Sequence, residues 1–92
     1  MRRGTVYLLH FDRPLHHARH YLGFTTDLAD RMVRHASGNG AKLVAAVRAA
    51  GIGWTLARTW VDVPRELERR LKARKRIRRR CPICSPNAGA LP

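Results

Sequence analysis

Ten of the sixteen residues from Arg65 to Arg80 are lysine or arginine. A stretch so charged folds only by lending a narrow apolar stripe to a core built elsewhere. As a helix over about 64–80 it sets Val63, Leu67, Leu71 and Ile77 on one side and the cations on the others. Like charges at helical spacing repel one another unless phosphates relieve them. The whole chain repeats the bias, with 19 Lys+Arg against 6 Asp+Glu, a formal charge of +13 and a pI near 11.7. Nucleic acid is therefore the expected partner. An anionic membrane fits less well, because the stripe is narrow and lacks interfacial Trp or Phe. Sixteen of the 19 cations are arginine, whose planar fork suits phosphate, although a GC-rich coding genome produces the same bias.

A chain of 92 residues makes one domain, which excludes a two-domain enzyme. Its 45% hydrophobic content is that of a globular protein. The one apolar run after Met1-Arg2-Arg3 is interrupted by His10 and Asp12, too early for a membrane span or a recognisable export signal. The expectation is a soluble, cytoplasmic protein with no membrane association and no obligate protein partner.

Residues 5–11, Thr-Val-Tyr-Leu-Leu-His-Phe, are β-branched and aromatic and stop at the turn signal Asp12-Arg13-Pro14, which predicts a first strand. Residues 12–18 read as a polar connection and 19–24 as a second, antiparallel strand. Alternation then puts Val6 and Leu8 on one face with Leu22 and Phe24, and gathers Tyr7 and Tyr21 on the other, where Gly23 leaves room for a ligand. Thr25, Thr26 or Asp27 caps a helix with Leu28, Ala29, Met32, Val33 and Ala36 as its apolar positions. Arg31 and His35 lie on its other face with Arg34 nearby, and Gly38 ends it. A short helix over Lys42 to Ala50 and a third strand at 53–61 follow, and Asp62-Val63-Pro64 opens the last helix. The expected fold class is α+β, a three-stranded antiparallel sheet flanked by helices, in a domain at 1–80 followed by a tail of turn formers at 81–92.

Taken singly, the polar residues have plain explanations. Strand tyrosines usually pack, Arg31 and His35 suit a surface, and Glu68 has Lys72 four residues on. Taken together, Thr5-Val6-Tyr7, Tyr21-Leu22-Gly23, Arg31 and His35 within Asp27 to His35, and Glu68-Arg69-Arg70-Leu71-Lys72 resemble the GIY-YIG nuclease family in order and spacing, over residues 4–80. Val6 and Leu22 stand for the family's isoleucines and Thr5 for its first glycine.

The resemblance implies a metal-dependent DNA endonuclease. Glu68 would hold a single hydrated Mg²⁺ (or Mn²⁺), and Tyr7 would act as general base or base relay. Arg31 would neutralise the scissile phosphate, Tyr21 would orient water or phosphate, and His35 would assist proton transfer or bind phosphate. The family's terminal asparagine has one candidate here, Asn87. Arg34, Lys42, Arg69, Arg70, Lys72 and Lys75 are expected to contact the DNA backbone. The competing expectations are a non-catalytic basic nucleic-acid-binding module and a nuclease selective for branched DNA or directed at RNA.

Cys81-Pro-Ile-Cys84 is too close-set to staple the domain and fits a reducing compartment. It is half of a zinc site that two of His10, His16, His17 and His20, or a second chain, would have to complete. A lone pair of this kind is more often a helix-ending turn with inert thiols, and that is the expectation here. His16, His17 and His20 are placed in the hairpin loop, within reach of DNA backbone.

Overall fold

Residues 6–11 are buried without a break, from Val6 to Phe11. A strand hidden on both faces needs cover on each side. In the computed structural model, which describes residues 3–73 and 77–85, that strand is β1 (Arg3–Leu15), the middle of a three-stranded sheet ordered β2-β1-β3. β2 (Ala18–Thr25) and β3 (Trp54–Pro64) both pair with it antiparallel. The helices are α1 (Leu28–Ser37), α2 (Lys42–Ala49), α3 (Glu66–Ala73) and α4 (Ile77–Arg80). The α+β class expected from sequence is the one observed.

Alternation divides the core in two. Tyr7, Leu9 and Phe11 face one way and pack with Val44, Val47 and Ile52, with Tyr21, Leu28 and Met32 against them. Val6 and Leu8 face the other way and pack with Leu22, Leu71 and Cys81, joined by Val63, Leu67 and Ile77. The predicted stripe of the basic segment is thus the surface that seals the second face. No described helix is long and apolar enough to cross a membrane.

Several boundaries differ from expectation, each for a local reason. β1 runs on through Pro14, because pairing with β2 is broken between His10 and Leu15 and the missing N–H costs no ladder bond there. Only His16 and His17 form the turn, and His20 lies within β2, paired with His10. β3 continues past Asp62 because Val63 and Pro64 still pair with Gly4 and Arg3, so the last helical segment opens at Glu66. Asp62 takes a positive φ of 56° at the register shift, where its carboxylate meets Arg3 Nε at 2.9 Å. Cys81, expected to open a tail with little to bury, is fully enclosed in the core.

Asp27 caps α1 by accepting from the Asp30 N–H, and Gly38, at φ 84°, closes it with its N–H to the Arg34 and His35 carbonyls. The burial of this helix reverses two expectations. Val33 is 67% exposed, and His35, expected on the polar face, is completely buried. The reason is the partner waiting for it on the sheet.

Candidate functional site

That partner is Tyr7, whose Oη lies 2.8 Å from His35 Nε2 in a buried hydrogen bond. The phenol donates when the imidazole proton sits on Nδ1 and accepts when it sits on Nε2. Tyr21 completes a triangle of rings, with its centroid 6.0 Å from Tyr7 and 5.6 Å from His35. The triangle depends on Gly23, which stands opposite Tyr7 in the β1–β2 ladder. A Cβ at that position would fall 2.5 Å from Tyr7 Cζ and Oη and 2.9 Å from Tyr21 Cε2. Gly40 performs the same service for His35, whose ring occupies the space its Cβ would take.

Charge in this cluster is tightly constrained. Burial, then the neighbouring Tyr21 hydroxyl, push the Tyr7 phenol above its ordinary range, and the Arg31 guanidinium pulls it back only in part. Burial and Arg31 hold His35 below its ordinary value, so the imidazole is neutral at pH 7. Its Nδ1 is buried and has no hydrogen-bond partner among the described residues. β1, β2 and α1 therefore converge Tyr7, Tyr21, Arg31 and His35 on one side of the sheet.

Glu68 stands apart from these four. It lies on α3, whose buried Leu71 belongs to the opposite core face, and its carboxylate meets Lys72 Nζ at 3.6 Å. Among the described residues it makes no hydrogen bond to either tyrosine, Arg31 or His35. Its side chain is only 16% exposed, against 56% for Lys72. The helix runs along β2, and Lys72 and Tyr21 line one cavity of about 410 Å³ together with Leu22, Leu43 and Leu71. The Glu68–Lys72 pair thus borders the edge of the sheet that carries Tyr21.

Of the residues expected to meet phosphate, Lys42, Arg69, Arg70 and Lys72 are exposed, and Arg34 is exposed while paired to Asp30 at 2.9 Å. Lys75 and Asn87 lie outside the described residues.

A second constellation brings the two cysteines together with two histidines. His10, His20, Cys81 and Cys84 each present one ligand atom, all within 4.8 Å of one another, so the four can hold a metal ion. His10 and His20 sit on facing strands and Cys81 follows α4 directly. Burial holds both imidazoles below their ordinary pKa, helped for His10 by Arg19 and for His20 by His10, which keeps lone pairs available. The signal was present in the sequence: the register that pairs Leu8 with Leu22 pairs His10 with His20 two residues on, on the same face. Cysteine spacing alone does not reveal partners about seventy residues away.

Comparison with protein-family models, with curated proteins and with solved structures returned no match.

Proposed function

We propose that this chain is a metal-dependent endonuclease of the GIY-YIG kind that hydrolyses phosphodiester bonds in DNA. The observation that carries the reading is the convergence of Tyr7, Tyr21, Arg31 and His35 around the 2.8 Å phenol–imidazole contact, in a chain of net charge +13. An apolar core has no need of such a group. Its buried polar atoms must be satisfied at a cost, and His35 Nδ1 finds no partner among the described residues.

A hydrated Mg²⁺ suits Glu68 in donor chemistry. The carboxylate is a hard oxygen donor, and Lys72 at 3.6 Å is beyond charge-assisted hydrogen-bond length, so its lone pairs remain available. Bound there, the ion would neutralise charge on the phosphoryl group and acidify its water. Arg31 would meet the charge growing on the phosphoryl oxygens. The attacking water's oxygen bonds to phosphorus as the bond to the 3′ oxygen breaks, and the departing 3′ oxyanion takes a proton from solvent water. The water's proton passes to Tyr7 Oη while the phenol's own proton moves to His35 Nε2, which requires the neutral tautomer with its proton on Nδ1. A concerted relay of this kind avoids a standing tyrosinate, which the raised pKa of Tyr7 disfavours, and leaves only a transient imidazolium, because burial and Arg31 hold the pKa of His35 down as well.

Full burial of Tyr7 and His35 also favours a second reading, an architectural cluster in a non-catalytic basic module. Nicking of supercoiled plasmid separates the two. Cleavage that requires added Mg²⁺ or Mn²⁺ and falls about 10²–10⁴-fold in Tyr7→Phe, with DNA affinity retained, supports the nuclease. Plasmid binding without nicking at any concentration of either ion establishes the module. Branched DNA and RNA substrates in the same assay report substrate preference.

A further inference from the structure

We propose that His10, His20, Cys81 and Cys84 bind one Zn²⁺ in a closed, tetrahedral, structural site that clasps the end of the basic helical segment to the β1–β2 hairpin. The donor separations carry this inference. Zn–S bonds of about 2.3 Å and Zn–N bonds of about 2.05 Å at tetrahedral angles demand N···N edges of about 3.3 Å and N···S edges of about 3.6 Å. His10 Nδ1 lies 3.4 Å from His20 Nε2, 3.4 Å from Cys81 Sγ and 3.5 Å from Cys84 Sγ, and Cys84 Sγ lies 3.3 Å from His20 Nε2. Four of the six edges of a zinc tetrahedron are therefore drawn to within a few tenths of an ångström.

Hydrogen bonding does not explain the same arrangement. A ring nitrogen has one proton or one in-plane lone pair, yet His10 Nδ1 has three neighbours at these distances. They surround a common point rather than pair off. Thiolate and imidazole donors suit zinc and exclude Mg²⁺, which takes oxygen ligands. Binding releases both thiol protons, and two thiolates with two neutral imidazoles leave the zinc centre uncharged, so the site adds nothing to the chain's +13. A cavity lined by His17, Arg19, Arg78 and Ile83 beside the cluster gives the ion a route in.

The clasp has a structural consequence. The ligands join positions 71 residues apart, across everything from β1 to α4. Cys81 is itself part of the core face that Leu71 and Ile77 cover, so the ion fixes where the basic segment comes to rest. The site is independent of the proposed nuclease centre and survives the failure of that reading.

The test is metal content and spectroscopy on untagged protein purified under reducing conditions from zinc-supplemented culture. One equivalent of zinc per chain is expected, lost in Cys81→Ser and Cys84→Ser and retained in His17→Ala. Replacement by Co²⁺ is expected to give the intense d–d bands of a tetrahedral site with thiolate charge transfer, bleached by added Zn²⁺. The cobalt spectrum of the unmutated chain decides the matter even where a serine variant does not fold. Folded protein without stoichiometric zinc, a weak octahedral cobalt spectrum, iron or nickel in place of zinc, or a Cys81–Cys84 disulfide under reducing conditions each overturns the proposal.

Discussion

Replacing Gly23 with alanine attacks the point on which the tyrosine cluster turns. The new methyl would sit 2.5 Å from Tyr7 Cζ and Oη. Ordinary contacts between carbons are about 3.5–4.0 Å, so the ring must retreat by about 1 Å or more. Tyr7 has no free volume to use, being fully buried against Leu9, Phe11, Val44 and Val47. Overpacking of this kind costs about 1–3 kcal/mol. In a domain of this size each kcal/mol lowers the melting temperature by about 4–8 °C. The shortest contacts are with the Tyr7 ring, and Tyr21 Cε2 at 2.9 Å is the lesser clash, so most of the cost should be relieved in a double-mutant cycle with Tyr7→Leu, a side chain that ends short of Cζ. Denaturant unfolding of the four proteins should show Gly23→Ala costing at least about 1 kcal/mol less in the Tyr7→Leu background. Additive losses, or a Gly23→Ala protein as stable as the parent, would refute the claim that Gly23 exists to seat Tyr7.

Stability should fall as the solution is acidified, in part through His35. Its folded pKa lies below its ordinary value, so below about pH 6.5 the unfolded chain takes up a proton that the folded chain resists. This contribution is complete above that pH and is lost on descending toward the folded pKa, by at most ~1.4 kcal/mol per pH unit. Unfolding midpoints between about pH 7.5 and about 5.5 should fall more steeply for the parent than for His35→Gln; equal slopes would show that His35 is not held neutral. Binding to DNA should weaken with salt, with a log–log slope set by the number of phosphates contacted. Arg69→Ala with Arg70→Ala should lower that slope by up to about 2, while an unchanged slope would remove α3 from the interface.

Much of the arrangement follows from period-two alternation in the hairpin. Residues 5–11 and 19–24 suffice to set Tyr7 and Tyr21 on one face and Val6, Leu8, Leu22 and Phe24 on the other. The same rule extends to His10 and His20, which lie within those two runs, but they are the last pair before the register breaks, where a loop placement for His20 competes with the ladder. His35 departs from the pattern for a different reason. Hydrophobic periodicity assigns a polar residue to the solvent face, whereas here a single hydrogen bond to Tyr7 makes an imidazole a core residue. Val33 then takes the exposed position in its stead. The start of the last helical segment was hidden because Val63 and Pro64 are held by pairing with Gly4 and Arg3, some sixty residues away. Non-local contacts also conceal the burial of Cys81, which reads as a turn residue until the sheet beneath it is known.

The nuclease reading is most exposed at Glu68, which the fold sets on the β2 edge rather than within the ring of phenols and imidazole. The decisive measurement is the single-turnover cleavage rate of plasmid DNA against Mg²⁺ concentration, for the parent and for Glu68→Gln. Zinc-loaded protein and omission of Mg²⁺, rather than a chelator, keep loss of the clasp from imitating loss of catalysis. Cleavage by the parent that saturates with Mg²⁺ and vanishes in Glu68→Gln, with DNA affinity unchanged, is the expected result. Equal rates in the two proteins would show that this carboxylate does not serve the reaction.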